Sequence, residues 1–378
     1  MDINNIYEGD CLEVLKTFPD ESVDMCITSP PYWNLRDYGT AEWTGGDETC
    51  DHIKTKNLKR DTSGGFTGRD KGTRGEQSNT SSSVIQYRDE CKKCGAKSID
   101  KQLGLESTPD KFVDNLCDVF DEVQRVLQPH GTCWVNLGDT YISGKSRYSS
   151  SPHTINKVSK DEPMGGKKVD LRNHPIYKDK SLAMIPNRFA IEMVNRGWIL
   201  RNELIWHKPN CMPESVKDRF TNDYEKLLFF TKNPRYYFKQ QLEPVKDSSI
   251  ERMKYKMSPK AKLGLKGTGF KDNAVKLEGR NKRAVWVIKP SQYKEAHFAT
   301  FPEKLIESPI DAGCKVGGIV LDPFFGSGTT GVVALRQDKN YIGIEVNHKY
   351  IKLAKERLTR PMIERKTREK SKDFFEFE

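Results

Sequence analysis

The run Val320-Leu321-Asp322-Pro323-Phe324-Phe325-Gly326-Ser327-Gly328-Thr329-Thr330-Gly331 limits the fold more than any other stretch of the 378 residues. It reads as a buried strand, a glycine turn and the start of a helix, and glycines at such a turn let the backbone approach a ligand closely. Gly326, Gly328 and Gly331 fit a GxGxxG pattern, which alone is a weak sign. A diphosphate site places its first glycine directly after the strand, so that the anion meets the helix N-terminus. Here an acid, a proline and two phenylalanines intervene, and a negative Asp322 suits a cationic ligand better. Glu345, at the end of the next strand, is placed to take a ribose diol. After the turn only a strand, Tyr341 to Glu345, and a helix, Lys349 to Leu358, follow, too little for the open sheet such a nucleoside site requires. The missing strands must come from upstream. The expected fold is an α/β, Rossmann-like sheet read in permuted order, with its cofactor half at the carboxyl end and its catalytic half at the amino end.

The upstream chain offers those elements. A strand at Ile3 to Tyr7, a helix at Asp10 to Thr17 and the apolar strand Val23 to Thr28 come first. The last stops at Ser29-Pro30-Pro31, because prolines lack amide donors and fix their own φ. Thr108-Pro109-Asp110 opens a helix with an N-cap and an early proline, and Phe112, Val113, Leu116, Val119, Phe120, Val123, Val126 and Leu127 follow at helical spacing. Strands are expected at Gly131 to Leu137, Ile199 to His207, Lys226 to Thr231 and Gly318 to Asp322, and helices at Leu182 to Asn195 and Pro302 to Ala312. Between them lie a polar insertion at 41–105, nearly free of apolar residues from Asp61 to Ser83, and a second polar gap from Ser143 to Lys180. The tail from Arg360 to Glu378 is expected to fray, with Phe374, Phe375 and Phe377 as its docking groups.

Composition excludes several classes. No apolar run approaches the roughly 18 residues of a membrane helix, and no secretory apolar region follows Met1 to Tyr7, so a cytoplasmic protein with no membrane partner is expected. Nine cysteines are too few for a disulfide scaffold at this length and fit a reducing compartment. Lys and Arg number 63 against 53 Asp and Glu, a net +10 that favours an anionic partner without naming it. Most of that surplus sits between Lys239 and Arg283, where 13 basic residues face 5 acidic ones.

Thr28-Ser29-Pro30-Pro31-Tyr32-Trp33 follows a buried strand and so sits at the sheet edge where α/β folds bind ligands. Two prolines and two aromatics could merely brace a loop. A serine hydroxyl and the next carbonyl can also accept hydrogen bonds from an amino group while an aromatic ring stacks on a base. Together with the glycine turn some 300 residues later, this loop resembles those of the amino-group DNA methyltransferases of the β arrangement. Gly9-Asp10 and the stretch His297-Phe298-Ala299-Thr300-Phe301-Pro302 extend the likeness, which covers most of the chain outside about Thr49 to Glu90 and the variable recognition region.

That resemblance implies S-adenosylmethionine as cofactor, with Phe324, Gly326 and Gly328 lining it, Asp322 near its methionine end, Glu345 on the ribose and Asp10 near the adenine. It implies a catalytic loop of Ser29, Pro30, Pro31 and Tyr32, acting on a base extruded from double-stranded DNA. Serine at the first position points to cytosine N4, with adenine N6 as the alternative. The corresponding divisions are 1–40 (catalytic loop), 41–105 (insertion), 106–238 (methyltransferase domain continued), 239–284 (target recognition region), 285–358 (cofactor-binding part) and 359–378 (charged tail). A monomer or homodimer, with a cognate restriction endonuclease as functional partner, fits such an enzyme.

Cys50-Asp51-His52 and Cys91-Lys92-Lys93-Cys94 bracket the low-complexity middle of the insertion and supply one histidine nitrogen and three sulfurs, a donor set suited to tetrahedral zinc. Cys50, His52, Cys91 and Cys94 are therefore the candidate ligands of a structural zinc in a knuckle-like insertion, with free thiols as the plain alternative. Two other functional classes compete for the whole chain. One is a nucleotide-binding oxidoreductase built on the GxGxxG turn, opposed by the permuted order and the Ser-Pro-Pro-Tyr loop. The other is a non-catalytic DNA-binding protein on a decayed methyltransferase fold, opposed by the intact Ser29, Tyr32, Asp322 and Glu345.

Overall fold

The computed structural model describes residues 1–33, 42–57, 82–86, 90–99, 102–142, 171, 174–245, 279–290 and 301–375. Its chain divides into two compact units, residues 1–36 with 103–378, and residues 37–102. No described helix is long and apolar enough to cross a membrane.

The larger unit is built on an eight-stranded sheet. Its strands are β1 (Asn5–Glu8), β2 (Val23–Thr28), β7 (Leu127–Leu137), β8 (Ile199–His207), β9 (Tyr224–Thr231), β12 (Val285–Val287), β13 (Ile319–Asp322) and β14 (Asn340–Glu345). They lie side by side in the order β1-β14-β13-β2-β7-β9-β8-β12. Seven run parallel and β9 runs against them. The carboxyl-terminal strands thus sit between β1 and β2, which is the permuted order read from the sequence. A short ribbon of β10 (Leu242–Glu243) and β11 (Arg280–Asn281) stands apart from the main sheet.

Alternate residues of each strand feed two helical layers. Cys26, Cys133, Val135, Leu228 and Phe230 face α1 (Cys11–Lys16), α2 (Pro109–Val126) and α3 (Ile185–Asn195). Met25, Ile27, Trp134, Leu227 and Phe229 face α4 (Glu303–Gly313), α5 (Thr329–Arg336) and α6 (His348–Phe375). Every residue of β2 is buried, as a central strand covered on both sides requires. Trp134 and Phe229 are cross-strand partners with rings stacked 3.9 Å apart. On α2, Thr108 accepts from the Lys111 amide and Pro109 occupies the first turn. Phe112, Leu116, Phe120 and Val123 line its inner face. Each such side chain contributes about 1.5–3 kcal/mol of burial.

Three of the boundaries that differ from the sequence expectation have a physical reason in the structure. Strand β7 starts at Leu127 rather than Gly131: its pairing with β2 jumps from Val23–Leu127 to Met25–Thr132, a bulge that absorbs Pro129 and Gly131. Helix α3 starts at Ile185 rather than Leu182, because Met184 at φ 58 is left-handed and ends any helix before it. The expected frayed tail is instead part of α6, which passes Pro361 and reaches Phe375. Beyond the proline, Arg365 donates to Lys339 O at 2.8 Å and Arg368 to Asp338 Oδ1 at 3.0 Å, fastening the second half of the helix to the turn between α5 and β14. Phe377 lies outside the described residues.

The smaller unit contains two antiparallel ribbons, β3 (Glu42–Thr44) with β6 (Lys97–Ile99) and β4 (Ile53–Asn57) with β5 (Ser82–Gln86).

Candidate active site

Along one edge of the main sheet β1, β14, β13, β2, β7 and β8 end and the reversed β9 begins. Ligands of open α/β sheets bind at such an edge. The sequence candidates of the larger unit are distributed along it.

The glycine turn is fastened by the acid that opens it. Asp322, the last residue of β13, is 1% exposed. Its Oδ1 accepts from Thr28 Oγ1 at 2.5 Å and from the Phe324 amide at 3.1 Å, and its Oδ2 accepts from Thr330 Oγ1 at 2.6 Å. Burial pushes its carboxyl up to about 6, against these three hydrogen bonds, which pull it down. Phe325 is buried beneath the turn against Gly343, where any Cβ would fall 2.3 Å from its ring. Gly328, at φ 81, caps α5, and a Cβ there would lie 3.0 Å from Ala354 of α6. Arg357, also on α6, donates to Ser327 O at 2.7 Å and to Ser327 Oγ at 2.6 Å. Phe324 and Gly326 remain partly exposed.

Glu345 ends β14 beside this turn. Its Oε2 accepts from the Gly326 amide at 2.8 Å and its Oε1 from the Asn347 amide at 2.9 Å. Burial raises its pKa, and the charge of Asp322 adds to the rise. The Gly9 amide donates to Glu345 O at 3.1 Å, which places Asp10 one residue from the end of β14. Asp10 is exposed and caps α1 through the amides of Leu12 and Glu13, at 3.0 and 3.1 Å.

The Ser-Pro-Pro-Tyr loop leaves β2, and the Thr28–Asp322 bond ties it to the glycine turn. Pro30 is buried, while Ser29, Pro31 and Tyr32 are half-buried. The Tyr32 hydroxyl donates to Glu225 Oε2 at 2.7 Å and lies 3.3 Å from Asn136 Oδ1. Glu225 also pairs with Lys208. Burial first, then the Glu225 charge, holds the Tyr32 phenol well above its ordinary pKa. Its ring covers Gly138, where a Cβ would fall 2.5 Å from Cε2. Trp33 is buried and donates from Nε1 to Glu106 O at 2.9 Å. Tyr32, Trp33, Gly138, Asp139, Thr140 and Ile185 line a cavity of about 40 Å³. Asp139 Oδ1 accepts the amides of Thr140 and Ile185 at 2.9 and 3.1 Å, which caps the start of α3.

Sequence reasoning overlooked Asn136, Asp139, Lys208 and Glu225. Their signal was polar residues at strand ends: Asn136 inside an apolar run, Gly138-Asp139 just after it, Lys208 after β8 and Glu225 at the start of β9. The four metal candidates meet in the smaller unit, where one ligand atom from each of Cys50, His52, Cys91 and Cys94 lies within 4.8 Å of the others. His297 to Thr300 and most of the basic segment Lys239 to Arg283, residues 246–278, lie outside the described residues.

Residues 23–356 match the family model for DNA methylases of the N6/N4 class. The Type II methyltransferase M.Cfr9I of Citrobacter freundii is 35% identical over 358 residues, which cover 93% of this chain and 87% of that protein. M.XycI of Xanthomonas campestris pv. cyanopsidis, another Type II methyltransferase, is 33% identical over 94% of this chain and 87% of its own length. Among solved structures, the PvuII DNA methyltransferase (cytosine-N4-specific) superposes with a TM-score of 0.53 at 17% identity, covering 94% of this chain and 86% of that one, a likeness of fold. With two relatives above 30% identity and a family model spanning both loops, the chain belongs to the N6/N4 family of DNA methyltransferases.

Proposed function

We propose that the protein transfers a methyl group from S-adenosylmethionine to the exocyclic N4 amine of cytosine in double-stranded DNA, as the cytoplasmic modification partner of a Type II restriction endonuclease. The observation that carries this is the Thr28–Asp322 hydrogen bond, which holds the residue before Ser29 against the residue that opens the glycine turn. A cofactor loop and an amine-binding loop are thereby kept side by side.

The residues present fit the cofactor. Each Glu345 oxygen accepts one backbone amide and keeps capacity for another donor, as a ribose diol needs. Asp322 and Glu345 put negative charge beside Phe324, Gly326 and Gly328, which suits a sulfonium, and Asp10 lies at the adjoining strand end. When bound, S-adenosylmethionine supplies an electrophilic methyl group. Ser29 Oγ and the Pro30 carbonyl accept the amine hydrogens and raise electron density on the nitrogen, which gains the methyl and releases one proton to solvent. Pro31 keeps that loop extended. The Tyr32 ring stacks on the extruded base, steadied by the Glu225 carboxylate at its hydroxyl. Serine rather than an acid or amide at position 29 favours cytosine over adenine N6. The segment 239–284 neutralises phosphates and reads the target, as its basic surplus suits. Zinc, the other cofactor expected from the sequence, has no task in this chemistry.

DNA from cells expressing the protein, digested and analysed by nucleoside mass spectrometry, should contain N4-methylcytosine. Ser29→Ala and Tyr32→Ala should abolish most of it while calorimetric S-adenosylmethionine binding persists. N6-methyladenine alone would move the target base, and no methylated base from active cells would overturn the proposal.

A further inference from the structure

Among the residues of the 37–102 unit whose side-chain burial is described, the buried apolar groups are Cys91 and Ala96. Four potential ligands converge there. Cys50 Sγ lies 3.7 Å from Cys91 Sγ, and Cys94 Sγ lies 3.7 Å from His52 Nδ1. The sulfur pair is far longer than a disulfide of about 2.05 Å. A tetrahedral zinc with Zn–S near 2.3 Å and Zn–N near 2.0 Å has ligand-to-ligand edges of about 3.5–3.8 Å. Both of these edges fall in that range.

The backbone is shaped around the same point. Between the two cysteines of the knuckle the chain turns tightly, with Cys91 N donating to Ala96 O at 2.8 Å and Gly95 N, at φ 78, donating to Cys91 O at 2.7 Å. Gly46 brings the first arm against the second: a Cβ there would lie 2.8 Å from both Ala96 N and Cys94 O. Trp43 stacks on the His52 ring at 4.3 Å and 15°, fixing the plane in which Nδ1 meets Cys94.

We propose that this unit binds one structural zinc ion through Cys50, His52 Nδ1, Cys91 and Cys94, and that the metal ties the Cys50–His52 arm to the Cys91–Cys94 knuckle. Protein fills all four positions, so none is open to a substrate or water. The ion holds β3 and β6 to the Cys50–His52 arm and takes no part in methyl transfer.

The test uses the full-length protein purified without chelators. Elemental analysis should find about one zinc per chain, the stoichiometry of a four-ligand structural site, and cobalt exchanged into the protein should give the intense visible bands of a tetrahedral thiolate site. Cys94→Ser should lose the metal, whereas Cys211→Ser, which alters a thiol of the other unit, should keep it. Protein stripped of metal should be cleaved many-fold faster within 37–102, while S-adenosylmethionine affinity stays unchanged. Wild-type protein that neither holds zinc nor takes up cobalt would overturn the site, as would an octahedral cobalt spectrum or an intact mass lighter by two hydrogens, the mark of a disulfide. If Cys94→Ser fails to fold, the cobalt spectrum and endpoint of the wild type still decide. Loss of methylation with metal retained would count against the methyltransferase reading and leave the zinc site standing.

Discussion

Replacing Asp322 with asparagine removes a buried charge while nearly preserving its shape. The carboxyl is 1% exposed, and burial raises its pKa from 3.8 to about 6 despite three hydrogen bonds. The folded protein therefore holds a proton here more tightly than the unfolded chain does. Well below pH 3.8 both states are protonated and the site adds no ionisation penalty. As pH rises towards 6 the unfolded chain ionises first, so stability is lost across that window, and above it the loss is complete. At about 1.4 kcal/mol per pH unit the full loss is about 3 kcal/mol, of which about 2 kcal/mol falls between about pH 4.5 and 7.5. Asparagine escapes this loss. Its Oδ1 can accept from Thr28 and Phe324, and the Thr330 hydroxyl can rotate to accept from Nδ2. Urea denaturation of both proteins across that pH range should show the variant gaining about 2 kcal/mol on the wild type. Any fixed effect of asparagine cancels in the difference. Parallel stability curves would refute the reasoning.

Glu225→Gln takes the charge from the Tyr32 hydroxyl and leaves Lys208 without its carboxylate. It should cost about 1.5–3 kcal/mol in urea denaturation, the scale of a hydrogen bond to a charged group, and should slow methyl transfer while calorimetric S-adenosylmethionine affinity holds. An unchanged rate would mean that the Tyr32 tether is not used. Gly138→Ala sets a methyl 2.5 Å from the Tyr32 ring, so a destabilisation of about 1–3 kcal/mol should accompany a loss of DNA methylation, and full activity in a radiolabel assay would contradict it. Glu345→Ala should weaken S-adenosylmethionine by about 1–3 kcal/mol, and an unaltered calorimetric dissociation constant would remove the ribose role.

Much of the fold could be read because its signals are local. The proline pair ended β2 at Thr28, Thr108-Pro109 opened α2, and one strand and one helix after the glycine turn demanded the permuted sheet. Two of the boundaries that moved depended on contacts distant in sequence. The tail from Arg360 was expected to fray because the partners of Arg365 and Arg368 cannot be seen from the helix itself, and the bulge in β7 exists only against β2. For the candidate site, motif chemistry was enough to name Ser29, Tyr32, Asp322 and Glu345 as proposed residues. Glu225 and Lys208 were not, because an acid and a lysine at strand ends look like ordinary surface until the sheet brings them to the Tyr32 hydroxyl.

The strand order also sets a timetable for synthesis. Strand β2 is made early, yet its neighbour β13 arrives nearly 300 residues later, and the hydrogen bond from Asn4 to Asn340 spans 336 residues. Until then β2 has one open flank, and the Ser-Pro-Pro-Tyr loop has no Asp322 to hold it. At about 5–20 residues per second, the ribosome keeps that flank open for tens of seconds. A chain released early would carry a bare hydrophobic edge and half of a loop pair, a species suited to chaperones and proteases rather than to DNA. The gap between β1 and β2 is thus filled late, and the two loops come together only after nearly 300 further residues have been made.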